Sequence, residues 1–414
     1  MKKHAFAYLN FTQFLGVVND NFFKLTLIFM LLQVQGFENN QTILALAGAI
    51  FVVPFLLFSI PAGTLADRYS KSTITKIIKL LELFAAILGV IGFALKDSLL
   101  SYTALFLFAT SGAFFGPAKY GIVPELVTNE KLSKSNSYLS SFTYLAMIIG
   151  TVIAGPITQY LNKNFFYISL FSLLFAIIGL IFSLFIPKTI PAGSEKKFSL
   201  LFITQIVRTL KKTVNYKHLT SSIFGSAYFL FIGGYVQLNI IPYAVECLKL
   251  SDIQASYLFL VTAVGIGSGS LICGKISGSK IELGLTPFGA LGITICSLII
   301  GLCDLNLTFV VLLLFLIGFF GGLYLIPVDT FIQAASPKIE RGQNIACNNF
   351  MGFFGVLIAS FLIYAQGEIL KLSSKDGFII VGLITFLVTI YYFISFKNPI
   401  RNLFLRTTQE IKKE

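Results

Sequence analysis

Apolar residues gather along the chain into runs of about twenty, separated by short polar stretches. The runs cover residues 6–34, 43–66, 74–95, 99–118, 138–161, 165–186, 223–245, 255–276, 283–303, 307–327, 345–365 and 378–396. None alternates apolar and polar positions as the strands of an outer-membrane barrel do. At 1.5 Å per residue, a helix of about twenty residues crosses the roughly 30 Å hydrocarbon core of a bilayer. The pattern therefore predicts an all-α membrane protein with twelve transmembrane helices.

Composition agrees: 56% of the 414 residues are hydrophobic and 12% charged, against about 25% charged in soluble domains. The first run is too long for a cleavable signal peptide and carries Asn19, Asp20 and Asn21 in its middle, so none is expected. The net charge of +13 is not read as nucleic-acid affinity, because the basic residues follow the predicted topology. Of the 31 Lys and Arg, Lys96, Lys163, Lys249, Lys371 and Lys375 fall in the loops of one side, and Lys24 lies within the first run. The rest fall on the other side, Arg68, Lys71, Lys76 and Lys79 among them. That asymmetry predicts a multi-pass protein with an even number of spans and both termini cytoplasmic.

The longest loop, residues 187–219, splits the chain near its middle. Ile203, Ile206, Val207, Leu210 and Val214 repeat at helical spacing there, while Arg208, Lys211 and Lys212 project elsewhere. An amphipathic helix on the inner leaflet and a solvated basic linker both fit this spacing. The expected organisation is a six-helix half over 1–187, a cytosolic loop over 188–219, a second six-helix half over 220–397 and a basic tail over 398–414.

Catalytic chemistry is missing. The two histidines, His4 and His218, have Leu9 and Ile223 five residues on, so no H-x-x-x-x-D acyltransferase signature exists, and no GxSxG or P-loop is found. Cys247, Cys273, Cys296, Cys303 and Cys347 have no metal spacing. No enzyme activity, cofactor or metal is expected. An integral membrane lipid enzyme using intramembrane Asp or Lys is the alternative of another class.

The ionisable groups inside the runs hold the chemistry. Phe114-Phe115-Gly116-Pro117-Ala118-Lys119-Tyr120-Gly121 places Lys119 at or inside a membrane boundary, beside Gly and Pro that weaken a helix. A lysine at a helix centre costs roughly 2.5–3.5 kcal/mol on insertion scales, so a partner or a task is expected for it. The stretch GAFFGPAKYGIVPELVTNEKLSKSNSYL parallels GGLYLIPVDTFIQAASPKIERGQNIACN, and Asn136 and Asn344 open corresponding helices about half the chain apart. Two pseudo-symmetric six-helix halves would put a transport site at the repeat interface.

Gly63-Thr64-Leu65-Ala66-Asp67-Arg68-Tyr69-Ser70-Lys71 resembles the G-x-L-a-D-r-x-g-r-k loop of the major facilitator superfamily. The resemblance implies the major facilitator fold and an inside gate formed by Gly63, Asp67, Arg68, Lys71 and Glu125. In it Gly63 allows close helix approach, and Asp67 and Arg68 pair and break as the halves rock. The matching loop of the second half, Gly274 to Lys280, has no Asp, which makes the gate asymmetric.

Gly116-Pro117-Ala118-Lys119-Tyr120-Gly121, Pro124-Glu125-Leu126, Asn136, Gln13-Phe14-Leu15, Asp20-Asn21 and Lys79-Leu80-Leu81 are similar to the bacterial lysophospholipid transporter family. That module also occurs fused to acyltransferase and acyl-carrier-protein synthetase domains. The resemblance implies inward flipping of lysophosphatidylethanolamine and lysophosphatidylglycerol across the bacterial inner membrane for reacylation, with an acyltransferase on a separate chain as functional partner. Lys119, Asp20, Asn21, Lys24 and Gln237 are the expected substrate-binding residues. A coupling sodium ion or proton is expected, the sodium at Asp20. Membrane lipids surround the chain, nucleic acid has no part, and a monomer is expected.

This chain departs from the family near Gln237, where an Arg is usual, at Asp329, where an Asn is usual, and at Lys24, where an apolar residue is expected. Lys24 follows Asp20 by four residues, so the two charges can pair along one helix face. The pair either serves insertion or supplies the cation that the missing Arg would have provided. A small-molecule or drug transporter of the same superfamily is the other alternative, prompted by Gly150-Thr151-Val152-Ile153-Ala154-Gly155-Pro156.

Overall fold

The computed structural model describes residues 4–36, 39–195, 202–250 and 252–411. The helices are α1 (Ala5–Gln35), α2 (Asn40–Arg68), α3 (Lys71–Leu95), α4 (Ser98–Leu126), α5 (Asn129–Tyr160) and α6 (Phe165–Leu184), then α7 (Phe202–Thr213) in the central loop. They continue as α8 (Leu219–Glu246), α9 (Asp252–Ser277), α10 (Leu285–Leu302), α11 (Leu307–Ala335), α12 (Arg341–Tyr364), α13 (Ser374–Ser395) and α14 (Lys397–Ile411). Among the described residues twelve helices are long and apolar enough to cross a membrane.

Several helices outrun the apolar runs that announced them. α4 continues through Pro117, Lys119, Gly121 and Pro124 to Leu126, and α5 begins at Asn129, in polar sequence. Hydropathy marks where the bilayer is, whereas a helix ends where its backbone hydrogen bonds find another partner. Starts are marked by side chains. Asp97 accepts the Leu100 N–H at 2.8 Å before α4, and Ser373 and Asp376 form a reciprocal capping box before α13.

The chain divides into two compact units. The first holds residues 1–127, 145–211 and 336–350; the second holds 128–144, 212–335 and 351–414. In the first unit α3 packs on α4 and α6, α2 on α4, and α1 on α6, α4 and α2. In the second, α10 packs on α11 and α13, α9 on α11, and α8 on α13, α11 and α9. These are the same pairings shifted by six membrane helices, so the repeat suggested by Asn136 and Asn344 is a repeat of packing. Each half of the sequence also gives the opening stretch of its fifth membrane helix, α5 or α12, to the other unit.

The closest helix contact in the second unit is built from glycine. A Cβ on Gly265 or Gly269 of α9 would stand 2.2 or 2.0 Å from the carbonyl oxygens of Phe315 and Phe319, and one on Gly318 of α11 2.0 Å from that of Thr262. Two small-x-x-x-small faces thus touch backbone to backbone, as membrane helices do where lipid gives no hydrophobic drive. In the first unit the core is aromatic: Phe23 stacks on Phe93 and tilts against Phe108.

The described part of the central loop contains one helix, α7. On α7 Ile206 is buried, while Ile203, Val207, Arg208, Lys211 and Lys212 are exposed. Lys2, Lys3, Lys196, Lys197, Lys412 and Lys413, counted above in the charge asymmetry, lie outside the described residues.

Candidate functional site

A cluster of buried charge occupies the first unit. Lys119 is 8% exposed. Its ammonium reaches Gln13 Oε1 of α1 at 3.4 Å and lies 4.5 Å from the Tyr120 ring centre and 5.9 Å from that of Phe115. Gln13 in turn donates to Asn10 Oδ1 at 2.9 Å. Asp20 is one helical turn from Gly16 on the same face of α1, within electrostatic reach of Glu82, Lys79, Lys24 and Lys119.

Two members of the cluster were not among the expected site residues. Lys79 Nζ bonds Glu82 Oε2 at 2.5 Å along α3, with the two side chains 1% and 5% exposed. Lys79, counted above with the basic residues of the cytoplasmic side, is buried, 5.3 Å from the centre of the Phe115 ring. Gly16 makes the space: a Cβ there would sit 2.5 Å from Lys79 Nζ. The signal was in the sequence as a Lys-x-x-Glu pair at i,i+3 in an apolar helix. Ser172 of α6 also donates to Asn19 Oδ1 at 2.5 Å, tying α1 to α6 beneath the charges.

The remaining expected substrate residues are placed differently. Asn21 donates to the Val17 carbonyl at 2.8 Å, within its own helix. Lys24 turns its ammonium over the Phe51 ring of α2, at 5.0 Å, rather than closing a bond to Asp20. Aromatic faces attract ammonium groups where water is excluded. Gln237 lies exposed on α8 in the second unit, while its neighbour Asn239 is buried and donates to the Ser374 carbonyl at 2.8 Å.

The expected gate residues meet the start of α12. Asp67, fully buried at the end of α2, accepts the backbone N–H of Gly342 at 2.6 Å and of Gln343 at 2.9 Å. A carboxylate at a helix N-terminus satisfies donors that have no partner within the helix and meets the positive end of its dipole. Gln343 adds a 3.4 Å contact to Thr64. Gly63 allows the approach, since a Cβ there would stand 2.5 Å from Ala346 Cβ and 2.6 Å from the Gly342 carbonyl oxygen. Lys71, 1% exposed, bonds Glu125 at 2.7 Å with its stem against Gly121. Arg68 is exposed, its guanidinium 5.6 Å from the Tyr69 ring centre.

The second unit has a counterpart without charge. Asn136 of α5 and Gln333 of α11 exchange amide hydrogen bonds at 3.1 and 3.0 Å, and Asn136 also donates to Thr330 at 3.2 Å. Gly274 fits against Ser137 there, and Ser141 donates to the Gly267 carbonyl at 2.7 Å. The start of α12 thus meets a carboxylate in the first unit, and the start of α5 meets an uncharged amide in the second.

A family model described as Major Facilitator Superfamily matches residues 9–360. The chain belongs to that superfamily. It is a membrane transporter by family and by its twelve apolar helices. Among its relatives, a lysophospholipid transporter of Cronobacter sakazakii is 27% identical over 81% of this chain and 82% of the relative. One of Photorhabdus laumondii is 24% identical over 75% and 78%. The fold matches that of the human organic anion transporter MFSD10, with a TM-score of 0.77 at 13% identity over 94% of this chain and 99% of that one. It also matches a bacterial homologue of the iron transporter ferroportin, at 0.71 and 16% over 95% and 99%. Among the described residues of this facilitator, no group of three or more His, Cys, Asp and Glu side chains is placed to hold a metal.

Proposed function

We propose that this transporter carries lysophospholipids, lysophosphatidylethanolamine and lysophosphatidylglycerol foremost, inward across the bacterial inner membrane for reacylation. The observation that carries the reading is Lys119, a buried ammonium on α4 within electrostatic reach of the Asp20 carboxylate. An ionisable residue at membrane depth in a transporter marks a substrate or ion path. A lysine is a compact, rotatable donor suited to a phosphate, and Asp20 suits the cationic or hydroxylated end of the headgroup. The lysophospholipid transporters named above support the same substrate class.

The transport cycle is alternating access, with the Asp67 clasp closed in one state and open in the other. Both termini lie in the cytoplasm, and a separate acyltransferase consumes the product. The test is flipping of labelled lysophosphatidylethanolamine in proteoliposomes, with and without sodium and proton gradients, beside a panel of drug-efflux substrates. Wild type moves the lysolipid, and Lys119→Ala, expressed normally, does not. Transport of a soluble solute without lysolipid movement refutes the substrate while leaving the fold intact.

A further inference from the structure

Glu82 is the least accounted-for charge in the first unit. Its Oε2 holds Lys79, but its Oε1 is buried with no hydrogen-bond partner, in a residue only 4% exposed. A buried carboxylate oxygen left unpaired is costly and calls for an occupant. A hard metal cation takes about six oxygen ligands, and here one carboxylate oxygen already faces an ammonium. A proton needs a single oxygen. We propose that Glu82 is the proton-binding site of this transporter, and that Lys79 is its internal counter-ion, released to the substrate's phosphate when Glu82 is protonated. The identity of that anion rests on the lysophospholipid reading above.

Geometry supplies the link between proton and substrate. The ammonium groups of Lys79 and Lys119 lie against one ring, 5.3 and 5.9 Å from the centre of Phe115. Both ammonium groups thus border the same ring, and the bond to Glu82 holds Lys79 on its own helix rather than on an anion docked at Lys119. The charged groups that act on this pair are Lys79, bonded to Glu82 along α3, and Asp20 of α1, which interacts with both and in turn with Lys24 and Lys119; α6 contributes no charged residue. With Glu82 ionised, Lys79 is neutralised internally. With Glu82 protonated, Lys79 is a buried ammonium that has lost its bonded carboxylate and keeps only the unbonded Asp20 in electrostatic reach, and a phosphate relieves it. Proton and phosphate thus favour each other's binding, and the coupling is reciprocal.

The experiment is equilibrium binding of lysophosphatidylglycerol to the full chain in lipid nanodiscs across a pH series, with uncharged monoacylglycerol as control. Wild type should bind the phosphate-bearing lipid about tenfold more tightly at the acid end of the series than at the alkaline end, with no pH effect on monoacylglycerol and no effect of sodium. Glu82→Gln, which mimics the protonated state, should bind tightly at every pH. Should that variant fail to fold, Lys79→Gln/Glu82→Gln removes the pair as a neutral unit, and its binding should be weak and independent of pH. A wild-type pH profile in either variant overturns the proposal, as does a wild-type affinity that follows sodium and ignores pH. No binding of lysophosphatidylglycerol by wild type at any pH refutes the lysophospholipid reading itself and takes this inference with it.

Discussion

Replacing Asp67 by Asn tests the ionic clasp with almost no change of shape. The carboxylate accepts two backbone N–H groups at the start of α12, at 2.6 and 2.9 Å, from a fully buried position. An Asn keeps one acceptor oxygen and turns an NH₂ toward the second N–H, so one charge-assisted bond of about 1.5–3 kcal/mol is lost. The favourable meeting of charge and helix dipole, about 0.3–1 kcal/mol, goes with it. Burying a neutral amide costs less than burying a carboxylate, which offsets part of the loss. The net is about 2 kcal/mol against the clasped state, or about 30-fold in the equilibrium between clasped and open forms. The readout is the maleimide labelling rate of Thr64→Cys, a position 3% exposed that touches Gln343 at 3.4 Å, with the native cysteines replaced by serine. Asp67→Asn should raise the rate by about that factor, and should slow cycling more than it weakens substrate binding. Equal rates with and without the Asp67 change would refute the reasoning.

Gly63→Val should open the same clasp, because a side chain there meets the Gly342 carbonyl oxygen at 2.6 Å and backbone cannot yield as a side chain can; overpacking of this kind costs about 1–3 kcal/mol, read as a lower melting temperature and faster Thr64→Cys labelling. Asn136→Ala leaves the Gln333 amide, 2% exposed, without its reciprocal partner, and about 1–3 kcal/mol of stability should go; Asn136→Ala/Gln333→Ala should lose less than the sum of the two single changes in thermal unfolding. Burial and the neighbouring Lys217 hold the His218 imidazole below the ordinary histidine range. The unfolded chain therefore takes the proton first, and stability falls as pH drops below about 6.5 and on through the folded value; His218→Asn should flatten that part of the melting profile.

What the sequence determined by itself is what the bilayer reads. Each apolar run is long enough to satisfy its backbone internally across the hydrocarbon, so the membrane helices follow from hydropathy alone. The loop around Asp67 and the stretch around Lys119 were legible because Gly, Pro and charge interrupt apolar sequence there, and interruptions are costly enough to be informative. Helix ends were less legible, since α4 and α5 run on into polar residues whose backbone is satisfied by further helix.

Partners were decided by the tertiary structure. Asp67 meets backbone N–H groups of α12 some 275 residues away, and a backbone donor leaves no mark in the identity of Gly342 or Gln343. Lys24, four residues from Asp20, takes the Phe51 ring of another helix instead of the nearer carboxylate. Lys79 counted as one more basic residue of the cytoplasmic side, and it is Gly16 that makes room for its ammonium inside the bundle. A run of twenty apolar residues specifies a helix; which charge points inward depends on the small residues of the helices beside it, and only packing brings them together.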